Sequence, residues 1–199
     1  MKIRVVGEGT RDVSTPGKHR GALCVLVERA LGVPEWVVLE GRTLPRLHGR
    51  GGITEKAKLA VTAAAGYDGI VVVVDNDGAP PSERIQALRK GAQAAKSATP
   101  CALGLAIQEF EAWMIADEKA LQSGLRLERP VKRQKKPEEI RDPKKVLNEI
   151  AGRRVTGEEL ARVSREIDME SLRKRCPKGY GRFEEELKER IGPVFGTGA

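Results

Sequence analysis

Six carboxylates fall at three points where the chain can pass from a buried strand into a loop. "VVGEGTRD" carries Glu8 and Asp12, "VVVVDNDG" carries Asp75 and Asp77, and "IQEFEAW" carries Glu109 and Glu111. Acids gathered at close range raise one another's pKa unless something neutralises them. The donors are all oxygen, with neither His nor Cys among them, so the neutraliser that chemistry favours is a hard divalent ion, Mg²⁺ or Mn²⁺, rather than zinc. The two histidines, His19 and His48, lie outside the three stretches. Each stretch alone also has a plain structural reading, because an Asp-x-Asp after a strand makes turns and helix caps.

Whether the acids meet depends on the elements that carry them. "KIRVVG" reads as a strand, "RGALCVLVERALG" as an amphipathic helix stopped by Gly32, and "EWVVLEG" as a second strand. A helix follows from about Thr54 to Ala65, then the strand "GIVVVVD", a helix with Ser82 as N-cap, and the strand "CALGLAI". This alternation predicts an α/β fold with a mainly parallel four-stranded sheet flanked by helices. The unbroken valine run suits a strand buried on both faces. In such sheets functional groups collect beyond the C-terminal ends of the strands, and all three acidic stretches sit there.

Residues 1–122 are expected to form that domain, 123–145 a basic loop or arm, and 146–199 a helical extension packed on the same domain. "QEFEAWMIADEKAL" reads as helical, as do Pro143 to Ala151, Gly157 to Arg175 and Arg182 to Ile191. Between Arg126 and Lys145 nine Lys and Arg face four acids, with three prolines. The stretch, with Lys132, Arg133, Lys135 and Lys136, is either a solvated linker or an arm that touches phosphate. "HGRGGITEKAK" is a glycine-rich loop opening a helix, where Arg50 or Lys56 could contact phosphate. Trp113 and the stripe Leu160, Val163, Ile167 read as core. "CPKGYGRF" could cap the last helix, the favoured reading, or meet substrate with Lys178 and Arg182.

The chain holds 36 Lys and Arg against 28 Asp and Glu, a positive balance that favours a polyanion such as nucleic acid without requiring one. Cys24, Cys101 and Cys176 are widely spaced and show no metal-ligand pairing, so each is expected to be a small buried residue of a reduced protein. No stretch is apolar enough for a membrane span or a signal core, and a cytoplasmic location without a membrane partner is expected.

The order of "EGTRD", "GRGGITEKAK", "VVVVDNDG", "EFEAWMIAD" and "IDMESLRKRCPKGYGRFEEEL" resembles the Toprim (topoisomerase-primase) domain. More narrowly, it resembles a bacterial family of stand-alone Toprim-like proteins, domain of unknown function 4276, related to nucleases of the overcoming-lysogenization-defect class. The resemblance implies a Mg²⁺-dependent phosphodiester-cleaving enzyme acting on DNA or RNA, in a defence (phage defence) or repair setting and with an ATPase partner protein. It implies that Glu8, followed by Gly9, stands near the scissile phosphate as general acid/base or metal ligand. Asp75 and Asp77 would hold the metal, with Glu111 or Glu109 and Asp12 supporting a second site. A topoisomerase reaction would need a tyrosine, and only Tyr67 and Tyr180 exist. The loop "DVSTPGKHRG" after Asp12 departs from the pattern and leaves the placement of Asp12, and any role of Lys18, His19 or Arg20, open. Two other readings remain: a non-catalytic subunit that binds nucleic acid or an ATPase, and a haloacid-dehalogenase-like phosphatase, whose D-x-D-G-T loop "DNDGAP" resembles except for Ala79.

Overall fold

The valine run decides the architecture. In the computed structural model, which describes residues 1–13, 20–34, 36–46 and 52–196, Gly69–Asp75 forms a strand, β3, buried along its whole length except at Asp75. Branched aliphatics without polar alternation fit only between two apolar layers. β1 (Lys2–Gly7) and β4 (Cys101–Ala106) flank it, and β2 (Val38–Thr43) lies beyond β1, so the sheet order is β2-β1-β3-β4 with every pairing parallel. Val71 and Val73 join Ile3 and Val5 in one apolar layer, while Ile70, Val72 and Val74 join Val6, Leu103 and Leu105 in the other.

The chain moves one way from β1 to β2, then the opposite way to β3 and β4. Right-handed crossovers therefore send α1 (Ala22–Leu31) to one face and α2 (Ile53–Thr62) and α3 (Pro81–Ala94) to the other. The reversal places a topological switch point between β1 and β3. Gly32, left-handed at φ +58, ends α1 as its sequence suggests. β2 begins at Val38, later than "EWVVLEG" implies, because it runs in register with β1 from Lys2 opposite Val38 to Gly7 opposite Thr43. The cap of α3 is Pro80, and Ser82 lies inside the helix, whose first turn accepts Pro81 because that position needs no N–H partner.

Two expected helices are broken, each by an aspartate that starts a new one. Asp117 accepts the N–H of Lys119 and Ala120 and so separates α4 (Glu111–Met114) from α5 (Glu118–Gly124). Asp168 accepts from Ser171 N–H and divides the stretch 157–175 into α7 (Gly157–Glu166) and α8 (Met169–Arg175). The second oxygen of Asp117 accepts Asp168 N–H at 2.8 Å, so the two breaks are tied to each other. α6 (Pro143–Ala151) and α9 (Arg182–Arg190) follow the sequence reading, and a short α10 (Gly192–Gly196) continues from α9.

The C-terminal extension completes the layer of Ile3, Val5, Val71 and Val73 on the face that α1 covers. Trp113, Tyr180 and Phe183 are fully buried with ring centroids 5.4–6.2 Å apart, and Leu160, Val163 and Ile167 share their cluster with Ile3 and Val5 of the sheet. The stretch 126–145 has little regular structure beyond a 3-10 turn at Pro137–Glu139, but it is anchored. Buried Glu138 accepts the N–H of Lys178 and Gly179, and Arg175 donates to the Gln134 carbonyl. "CPKGYGRF" forms one wide π-type turn, Pro177–Gly181, that leads into α9. Cys24 and Cys176 are buried and Cys101 is half-buried. No helix among the described residues is long and apolar enough to cross a membrane.

α2 and α3 meet at Gly91. A Cβ there would lie 2.1 Å from the Thr54 carbonyl oxygen and 2.8 Å from Ala57 Cβ. Helix propensity favours Gly91→Ala by about 1 kcal/mol, yet the contact involves backbone that cannot retreat. We expect the clash to win, with Gly91→Ala losing about 1–3 kcal/mol in chemical denaturation; a variant more stable than wild type would refute the packing described.

Candidate active site at the strand ends

Four of the six acids converge on the switch point. Glu8 leaves β1, Asp12 sits in the turn that follows, Asp75 ends β3, and Glu111 opens α4 beyond β4. Asp75 Oδ1 accepts the N–H of Phe110 at 2.8 Å, and Asp75 N–H donates to Glu8 Oε2 at 3.1 Å. Gly9 N–H donates to Asp12 at 2.9 Å, and a Cβ on Gly9 would stand 2.4 Å from that carboxylate. A side chain on Gly9 would therefore push the Asp12 carboxylate away from the N–H that holds it. The Asp12 carbonyl in turn accepts from Leu23 N–H, which fixes the turn against α1.

Burial and mutual repulsion set the electrostatics. Burial, and then the charges of Asp12, Glu111 and Glu8, push the Asp75 carboxyl up to about 8. Asp12 is raised to about 7, by burial first and Glu111 second. Burial also raises Glu111, although Lys144 and Arg11 pull the other way. Arg11 donates to Glu111 at 2.8 Å and, through its other nitrogen, to the Val155 carbonyl at 2.9 Å.

The remaining two acids are held at the rim. Asp77 adopts φ +49 and is exposed, with Arg84 3.2 Å away; Arg84 also lies 3.5 Å from Glu8 and donates to the Asp75 carbonyl at 3.1 Å. Glu109 accepts the N–H of Lys144 and so caps the start of α6. Tyr180 is buried in the core and Tyr67 is engaged with Glu40 and Arg4, so neither reaches the acids.

Two clefts border the cluster. One, of about 390 Å³, runs from Glu8, Gly9 and Arg11 to Arg46, Lys56, Lys144 and Arg154. The other, of about 850 Å³, is lined by Asp77, Glu109, Arg141, Lys144 and Lys145. Lys144 belongs to both, so the cationic side chains of the two clefts adjoin at α6. Lys56 lies where the glycine-rich helix start suggests; Arg50, Lys18, His19 and His48 lie outside the described residues. Lys132, Arg133, Lys135 and Lys136 line neither cleft, and Arg133 and Lys136 face Glu118 and Glu139 instead. Sequence reasoning gave no role to Arg11, Arg46, Arg84 or Arg154, and included Lys144 only within the basic stretch 126–145. The one available signal was Arg84, a turn into the helix directly after "DNDGAP".

The donor set is oxygen only, the ligand type that hard divalent ions prefer, and two of its members, Asp12 and Asp75, are raised to about 7 and about 8. Among the described residues no three of the acids stand together at the spacing that holds an ion.

A family model described as a domain of unknown function (DUF4276) matches residues 39–188, and the chain belongs to that family. The matched span contains Asp75 and Glu111 and begins after Glu8 and Asp12. No curated protein and no solved structure matches the chain.

Asp12 and Asp75 bind protons more tightly in the folded chain than at their ordinary value of 3.8. Their contribution to stability is therefore fully present below pH about 4 and is lost as pH rises through about 7 and 8. In metal-free buffer the Tm is expected to fall from pH 5 to pH 8 by several degrees, a shift of roughly 1 kcal/mol or more. Asp75→Asn should flatten that fall and melt above wild type at pH 8. A wild-type Tm that rises over the same range would contradict the burial described.

Proposed function

We propose that this DUF4276 protein is a Mg²⁺- or Mn²⁺-dependent phosphodiester-cleaving enzyme acting on DNA or RNA, with a Toprim-like acidic cluster at its centre. The observation that carries the reading is a juxtaposition. Glu8, one of the four acids gathered at the switch point, lines a cleft whose Arg46, Lys56 and Arg154 are paired with no acid among the described residues. Such acids lower the stability of the chain at neutral pH, a cost that a purely structural site has no reason to carry.

The chain's own groups have separable tasks. Arg46, Lys56, Lys144 and Arg154 hold phosphates of the bound strand and set its direction across the strand ends. Glu8 is partly exposed at the cleft wall and stands at the boundary between acids and cations, where a proton must be exchanged with attacking water or the leaving oxygen. Arg84 keeps Glu8 and Asp77 in place from the side of α3. Glu8 and Asp75, supported by Asp12 and Glu111, would hold the cation. When bound, that cation would polarise the phosphoryl oxygen and lower the pKa of water.

One observation favours a second reading, in which the chain is a non-catalytic subunit that binds nucleic acid or an ATPase partner: the acids as they stand do not reach ion-binding spacing. Cleavage assays with Mg²⁺ or Mn²⁺ on single- and double-stranded DNA and RNA separate the two. On the enzymatic reading Asp75→Asn lowers the rate by about 10²-fold or more while retaining nucleic-acid affinity. Lys56→Ala with Arg154→Ala weakens binding and reduces the slope of log K against log salt by about 2. Salt-dependent binding with no metal-dependent cleavage of any of the four substrates would establish the second reading instead.

A further inference from the structure

A third cavity, of about 360 Å³, lies at the edge of β4 that pairs with no further strand among the described residues, and it shares no residue with the two clefts. Its floor is β4 from Leu103 to Leu105 with Ile107 beyond, and its walls are Ile85 of α3 and Phe183 of α9. The edge of a sheet presents backbone groups that no neighbouring strand satisfies. Here their direction is fixed by the ladder. Ile70 N–H donates to the Pro100 carbonyl and Asn76 N–H to the Ala106 carbonyl, so the even-numbered carbonyls of β4 face β3. The backbone groups of Leu103 and Leu105 face the other way, into the cavity. Gly179 packs against the Leu105 carbonyl, with its Cβ position 3.0 Å from that oxygen, so the open length of edge is short and centred on Leu103.

The rim is positive. Lys178 and Arg182 are exposed at one side and paired with no acid among the described residues, although their charge reaches the buried Glu138. Arg89 of α3 and Glu186 of α9 approach to 3.7 Å and close the end of the cavity nearest Cys101. With Arg89 exposed and the two groups 3.7 Å apart, the pair contributes little.

We propose that this edge docks a short extended segment of a partner protein in which a large apolar side chain is flanked by acids. The apolar side chain fills the chamber of Ile85, Leu103 and Phe183. The main chain pairs with Leu103, and the flanking carboxylates meet Lys178 and Arg182. This is strand addition with a side-chain pocket, in which main-chain bonds supply affinity and the pocket supplies selection. A nucleotide could satisfy the cations and fill the chamber but has no use for main-chain donors and acceptors spaced along a strand.

The test is fluorescence anisotropy on the full chain with a short fluorescein-labelled peptide alternating Leu or Phe with Asp and Glu. The controls are the same peptide with Lys at the acidic positions, and a labelled single-stranded oligonucleotide. Wild type is expected to bind the acidic peptide saturably and more tightly than about 1 mM, and the basic peptide at least about tenfold more weakly. Lys178→Glu with Arg182→Glu, and separately Ile85→Glu, should each weaken the acidic peptide at least about tenfold at unchanged Tm. Ile85→Glu should leave the oligonucleotide unaffected. The proposal is overturned if the acidic peptide fails to bind, if the two peptides bind alike, or if folded variants bind it as wild type does. It is also overturned if Ile85→Glu instead removes oligonucleotide binding, which would make the cavity a nucleic-acid site.

Discussion

Like charge held out of water is the condition around which this structure is arranged. Burial raises Asp12, Asp75 and Glu111, and the charge of Glu111 adds to it at Asp12 and at Asp75, where Asp12 and Glu8 also contribute. Peptide N–H groups of Gly9, Phe110 and Asp75 point at three of them, and Arg11 reaches the fourth. These are small, fixed dipoles and one partly buried guanidinium. They orient the carboxylates without cancelling the repulsion, which is why burial and neighbouring charge still dominate.

The sheet makes that placement unavoidable. Parallel strands deliver their C-terminal ends to one edge, and the reversal of direction between β1 and β3 places the switch point there. Asp75 stands at the end of the most buried strand because the same valines that anchor β3 between two layers also fix where its last residue emerges. The cations follow a different logic. Arg46 comes from beyond β2, Lys56 from the first turns of α2, Lys144 from α6 and Arg154 from the loop after it, and only tertiary packing brings them to one cleft.

The difference explains what could be read in advance. Strand ends are local features, marked by an apolar run stopping at a polar residue, so the fold class and the acidic positions were legible. Which acids face inward was not. Asp77 follows Asp75 by two residues, yet a positive φ turns it toward Arg84, and Glu109 is taken up by the backbone of α6. Asp12 joins the cluster because Gly9 can approach it without a side chain, a contact that no spacing rule reveals. The basic density of residues 126–145 was visible, but its use was not: Glu138 and Arg175 pin that stretch, and Arg141, Lys144 and Lys145 at its end line the larger cleft while Lys132 to Lys136 do not. The helix breaks at Asp117 and Asp168 were missed because an aspartate in a helical pattern reads as a surface residue until its cap bonds are seen.

Arg11 carries a consequence for the life of the chain before it is finished. One of its nitrogens holds Glu111, and another holds the carbonyl of Val155, a residue contributed by the last quarter of the chain. During synthesis the four strands and their crossover helices emerge well ahead of Val155, and domains begin to fold from the N-terminal side. Until that carbonyl arrives, Arg11 lacks the contact that aims it, and Glu111 lacks its fixed partner. The nascent chain can therefore own a sheet and all of its acids while Arg11 still lacks one of its two anchors, so that the geometry of the cluster is completed by residues that follow the sheet.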